Sequence, residues 1–154
     1  MKVIKMKGFG EHQKSKKKKV SKKVTKLSQK QIINQAIQFH LKGNIPEAAK
    51  LYQYCIKQGF NEHRVFSNYG IILKNLGKLK EAELSYRKAI KLKPDYAEAH
   101  YNLGVILKDL GKLEEAEFSY RKAIELKPDY VMAHYNLGII LRDFEKLKDA
   151  ELSS

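Results

Sequence analysis

Few residues of this chain have both the type and the spacing that chemistry requires. His100 and His134 stand 34 residues apart. Histidines that share a metal from one helix sit on successive turns, so a gap this long cannot pair them. Cys55 is the single cysteine, which excludes an internal disulfide and a cysteine-based metal site. Gly8-Phe9-Gly10 lacks the strand–loop–helix setting of a phosphate-binding loop. Tyr52, Tyr86 and Tyr120 fall on core-facing helix positions and do not form a cofactor box. What does recur is asparagine, at Asn34, Asn68, Asn102 and Asn136. An amide both donates and accepts hydrogen bonds, so this row suits binding rather than catalysis. The chain reads as non-enzymatic, with no cofactor and no metal.

The spacing of the asparagines is the spacing of the whole chain. Residues 63–96 and 97–130 agree at 23 of 34 positions, ending in Lys-Leu-Lys-Pro-Asp-Tyr and Glu-Leu-Lys-Pro-Asp-Tyr. The same phase runs back through a diverged copy, 29–62, and forward through an incomplete one, 131–154, without insertion or deletion. Within a copy, Leu103, Ile106, Leu107 and Leu110 recur at helical spacing, as do Leu113, Ala116, Tyr120, Ala123 and Ile124. Gly111 falls between the two runs, where a left-handed residue ends a helix without steric cost. Gly104 and Ala116 are small where paired helices must approach closely. Pro128 blocks continuation of the second helix, and Asp129 is placed to cap the next. Asp95 with Glu98 reads as a capping box, and Ser28 with Gln31 as the cap that starts the first helix. Hairpins this small must stack on neighbours to bury a core.

A 34-residue period with Leu103-Gly104, Ala116, Tyr120 and Pro128 at fixed places resembles the tetratricopeptide repeat. Residues 63–96 carry Tyr69-Gly70, Ala82, Tyr86 and Pro94 at those places. Residues 29–62 keep Ala36, Ala48 and Tyr52 but have Phe60 for the proline. Residues 131–154 have Leu137-Gly138 and Ala150, then Ser154 where the aromatic belongs. The resemblance implies an all-α fold, an α-α superhelix of three complete repeats plus a truncated fourth. It also implies a scaffold that binds a protein or an extended peptide on its concave groove, which the first helix of each hairpin lines. Histidines 100 and 134 then occupy a position usually held by a packing aromatic, and read as core residues. Cys55 aligns with Ala89 and Ala123 and reads as a small buried hydrophobe.

On that groove the resemblance places the asparagine row, similar to the asparagine ladder in the repeat region of O-linked N-acetylglucosamine transferases. Two readings stay open: the amides grip a peptide backbone, or they set the contact between repeats. A second row, His40, Lys74, Lys108 and Arg142, is mostly cationic, and Asn75, Asp109 and Asp143 partly neutralise it. The carboxylate clamp of chaperone-binding relatives is not matched. One register gives Ile33, Ile37, Asn68, Glu98 and Asn102, the other Ser67, Ile71, Asn102, Met132 and Asn136.

Two departures concern the fourth copy. Glu145 stands where Gly43, Gly77 and Gly111 stand in the others, so the turn there is expected to be the weakest. With its second helix incomplete, an exposed edge including Leu137, Ile140 and Leu141 is expected, open to self-association. The resemblance also allows the repeats to be the N-terminal part of a longer glycosyltransferase or sulfotransferase.

Charge is concentrated at one end. Residues 1–28 hold 11 lysines and a single acid, Glu11, a balance of +10 within a chain total of +14. Such a block repels itself, and a disordered Lys-rich tail is expected. It serves either as a solubilising tail or as an arm for an anionic partner, nucleic acid or membrane headgroups. No apolar run approaches the roughly 18 residues of a membrane-spanning helix, and no apolar core follows the basic N-terminus as in a secretory signal. A cytoplasmic protein is the expectation.

Overall fold

The computed structural model describes residues 29–154; the Lys-rich segment, the Gly8–Gly10 run and the Ser28 cap lie outside the described residues. Among the described residues there are seven helices and no strand. They are α1 (29–41), α2 (Ile45–Lys57), α3 (His63–Asn75), α4 (Leu79–Leu92), α5 (Ala97–Asp109), α6 (Leu113–Leu126) and α7 (Val131–Ser153). From α2 onward each packs on its neighbours in sequence, α1 shares a core cluster with α2, and α3 also touches α5 directly. The result is a tetratricopeptide-type solenoid rather than a closed bundle.

Three turns are made by glycine alone. Gly43, Gly77 and Gly111 have φ of +79°, +76° and +77°, and no non-glycine residue described has a positive φ. Around Gly77 the backbone amide bonds Lys74 O, and the amide of Lys78 bonds Leu73 O, both at 2.9 Å. These two bonds satisfy the carbonyls left over at the end of α3 and reverse the chain. Gly59 (φ +75°) ends α2 by the same pair of bonds, to Ile56 O and Cys55 O. It thereby does what Pro94 and Pro128 do after α4 and α6.

Inside each complete later hairpin, the two helices meet where a side chain is missing. A Cβ placed on Gly70 would lie 2.9 Å from Tyr86 Cζ, and one on Gly104 would lie 2.7 Å from Tyr120 Cε1. Both tyrosines are fully buried, so neither ring has room to retreat. Around them the core forms two linked clusters. Ile33, Ala36, Ala48, Tyr52, Cys55, Val65 and Ile72 make the first. Leu73, Tyr86, Leu103, Ile106, Leu107, Tyr120, Leu137 and Ile140 lie in the second, and Tyr69 packs against both. On the outside, Glu83 of α4 bonds Lys112 Nζ at 3.0 Å, and Arg87 reaches Glu115 at 3.0 Å. Burial alone would raise the Glu83 carboxyl; the Lys112 and Arg87 cations outweigh it and hold it below the ordinary carboxylate range.

Three expectations are corrected. Asp95 and Asp129 do not cap helices: α5 and α7 start one residue later, with Tyr96 and Tyr130 at the N-cap. Those rings are wanted for packing, Tyr96 on His63 at 5.1 Å and Tyr130 on Tyr101 at 5.0 Å between centroids. Next, the fourth copy contains no turn at Glu145. Holding that residue left-handed would cost about 1–2 kcal/mol, and the helix instead continues unbroken for 23 residues. Finally, Leu137 and Ile140 are buried in the second cluster, and only Leu141 of the three is exposed. The open face of α7 is a different one, carrying Val131, Tyr135 and Gly138.

Two outcomes follow from these contacts. Gly104→Ala should lose about 1–3 kcal/mol of unfolding free energy through overpacking on Tyr120. Gly138→Ala, with nothing within 4 Å of its added Cβ, should gain about 0.5–1 kcal/mol from helix propensity; denaturant melts of the two variants should therefore shift in opposite directions. Spin labels at positions 131 and 153 should read about 33 Å apart in α7 as one straight helix. In Glu145→Gly that distance should collapse, because the residue that opens a turn in the other copies is restored. An unchanged distance would show that Glu145 does not keep α7 straight.

Candidate peptide-binding face

All eight residues of the two proposed rows stand on first helices: Asn34 and His40 on α1, Asn68 and Lys74 on α3, Asn102 and Lys108 on α5, Asn136 and Arg142 on α7. The second helices cover the opposite side of α3 and α5 through the glycine–tyrosine contacts. Asn68, Asn102, Asn136, Lys74 and Lys108 are half-buried, whereas Asn34 and Arg142 are exposed.

The amides are not equivalent. Asn136 Nδ2 donates to Tyr101 Oη at 3.2 Å, from one copy to the preceding one. Tyr120 Oη, buried next to it, has no hydrogen-bond partner among the described residues, and burial pushes its phenol well above the ordinary range. The Asn68 amide stands beside Tyr52 Oη, again one copy back. Burial raises that phenol to about 12, against a smaller opposing pull from the amide. Asn102 makes no side-chain hydrogen bond to any described residue.

The aromatic content of this face was not singled out in sequence. Gln53 Nε2 donates to Tyr69 Oη at 2.8 Å across the α2–α3 boundary, and Tyr101 lies 5.9 Å from Tyr120 between ring centroids. The 34-residue phase places Tyr101 and Tyr135 beside Asn102 and Asn136, a signal present in the sequence. The cationic row is also less uniform than its residue types suggest. His40 Nδ1 lies 3.2 Å from Tyr52 Oη, and burial lowers its pKa.

Of the two histidines read as core residues, His100 is buried and His134 is exposed, because no second helix packs over α7. His100 Nε2 donates to Pro94 O and His134 Nε2 to Pro128 O, each at 2.8 Å. Each histidine thus clasps the proline turn that precedes its helix, an i−6 partnership the sequence shows only in retrospect. Cys55 is fully buried, and burial pushes its thiol up to about 11, away from nucleophilic thiolate chemistry. Among the described residues no three His, Cys, Asp or Glu are grouped to hold a metal ion, and no helix is long and apolar enough to cross a membrane. Two shallow surface pockets, of about 360 and 240 Å³, lie away from the asparagine row.

Known proteins place this geometry. No curated protein sequence matches the chain. Among solved structures, the first TPR of Spaghetti (RPAP3) bound to HSP90 peptide SRMEEVD is 23% identical, covering 76% of this chain and 93% of that one, with a TM-score of 0.71. The second TPR domain of the human RPAP3 protein in complex with HSP70 peptide SGPTIEEVD is 25% identical over 74% and 92%, with a TM-score of 0.64. An O-GlcNAc transferase mutant of Thermobaculum terrenum is 26% identical over 75% of this chain but only 22% of its own, with a TM-score of 0.68. A TPR repeat family matches residues 70–111, and tetratricopeptide repeat families match 97–130 and 119–152, together unbroken from 70 to 152. The chain belongs to the tetratricopeptide-repeat proteins.

Proposed function

We propose that this chain is a scaffold that holds an extended segment of another protein along the first-helix face, through backbone amides more than through side chains. The observation that carries the reading is Asn102. It sits mid-array and half-buried, with no described partner, next to a copy whose Asn136 is already engaged with Tyr101 Oη. One bond does not exhaust a carboxamide, so Asn136 keeps acceptor capacity for a ligand. An extended peptide offers the same N–H and C=O pair at every residue, and a row of like amides can meet it without reading its sequence. Lys74 and Lys108 then tilt the preference toward acidic segments.

The solved RPAP3 domains hold HSP90 and HSP70 peptides, and their fold supports a peptide as the ligand class here. A terminal carboxylate is not proposed. Ser67 is buried, and Ile71, Asn102, Met132 and Asn136 supply no cation in the clamp register. A reducing, cytoplasmic setting agrees with the lone buried Cys55. As a second reading, the likeness to the O-GlcNAc transferase supports these repeats as the recognition part of a longer glycosyltransferase, which the length of the native polypeptide decides.

Peptides selected by display on the full chain supply the test. Asn102→Ala should weaken several unrelated extended peptides by about 0.5–1.5 kcal/mol each, at an unchanged melting temperature. If every peptide binds that variant as before, the amide row belongs to the solenoid and not to a ligand. Lys74→Gln with Lys108→Gln should instead lower affinity for acidic peptides alone, by an amount that shrinks as salt is raised.

A further inference from the structure

The straight α7 leaves two things uncovered that match each other. In α5, the side that meets α6 at Gly104 carries His100, Gly104 and Leu107, all buried. At the same places in α7, His134, Gly138 and Leu141 are all exposed. The notch that receives Tyr120 at Gly104 has nothing within 4 Å at Gly138. Meanwhile residues 146–153, Lys-Leu-Lys-Asp-Ala-Glu-Leu-Ser, repeat the start of the covering helices, 78–85 and 112–119. Ala116 and Ser119 of that helix are buried, while Leu147, Ala150 and Ser153 are exposed. Receptor face and covering helix belong to one molecule but cannot meet within it. About 18 Å of straight helix separates Gly138 from Ala150.

We propose that two copies of this chain exchange these segments, residues 146–153 of each α7 lying antiparallel on the Gly138–Leu141 face of the other. The exchange rebuilds across a two-fold axis the first turns of the packing that α6 makes on α5, those around Leu113, Ala116 and Ser119, with Ser154 at the place of Tyr120. Such an interface is isologous and closes at two copies. Charge permits it: residues 131–154 set Arg142, Lys146 and Lys148 against Asp143, Glu145, Asp149 and Glu151. Two α7 helices therefore meet near neutrality, although the whole chain carries +14. The exchange also continues an existing interface, since Leu137 and Ile140 already seat α7 on the second core cluster.

Sedimentation equilibrium of the full chain, from about 1 to about 100 μM, should show monomer passing into dimer. Leu141→Glu and Leu147→Glu change side chains that are 39% and 53% exposed in one copy, so each variant should keep its circular dichroism. Each should raise the dimer dissociation constant by about 100-fold or more, because the exchange buries the new carboxylate. Thiol pairing reads the register. A Leu141→Cys chain mixed with an Ala150→Cys chain should form a disulfide-linked heterodimer on oxidation, and neither chain alone should link; Cys55 is buried. A monomer throughout the range, a dimer indifferent to both Glu variants, or single variants that link as readily as the mixture would overturn the proposal.

Discussion

In each complete later hairpin, a tyrosine ring occupies the space where the facing helix would carry a Cβ. Tyr86 against Gly70 and Tyr120 against Gly104 fix how closely the helices approach. Any larger residue at either glycine would crowd the facing ring, since both rings are buried. The separation of α5 from α6 in turn decides where α7 rests, because Leu137 and Ile140 pack on the same cluster as Tyr120. Local sterics at one atom thus propagate along the array, as expected where each unit contacts only its neighbours.

That same ring sets the role of the asparagines. A buried phenol hydroxyl seeks a partner. Tyr52 Oη finds it in His40 Nδ1 at 3.2 Å, with the Asn68 amide nearby, whereas Asn136 turns to Tyr101 and leaves Tyr120 Oη unpaired. The two readings of the asparagine row are therefore compatible. A carboxamide has four hydrogen-bonding sites, and the solenoid uses a minority of them.

The periodic part of this fold was legible because its determinants are local. A glycine at a positive φ, small residues at a crossing and a proline after a helix act through sterics within a few residues, and single-residue types reveal them. What was misread depends on competition between neighbours. Asp95 has the right type for a cap, but Tyr96 takes that place because its ring is also needed against His63. Leu137 and Ile140 share a helix with the exposed Leu141, but they belong to the side of α7 that packs on the second core cluster. The preceding hairpin covers one side, and the missing partner would have covered another. The histidine–proline clasps escaped notice because nothing in either residue type announces a six-residue partnership. For the binding face, residue types gave the asparagine and lysine rows but not which amides the solenoid consumes, since that depends on hydroxyls one repeat away.

Glu145 shows how much one turn residue decides. The segment after it, 146–153, repeats the first turns of a covering helix, so composition alone would fold it back onto α7. The hairpin requires a left-handed residue at the hinge, and glutamate resists that conformation by about 1–2 kcal/mol. Continuing the helix keeps the backbone hydrogen bonds and avoids that strain, at the expense of leaving the Gly138 face bare. The lost burial is apolar and can be recovered from outside the chain, whereas strain at Glu145 cannot be relieved by any partner. The local term therefore wins within one copy, and the face it exposes has the shape of the helix the chain withholds from it.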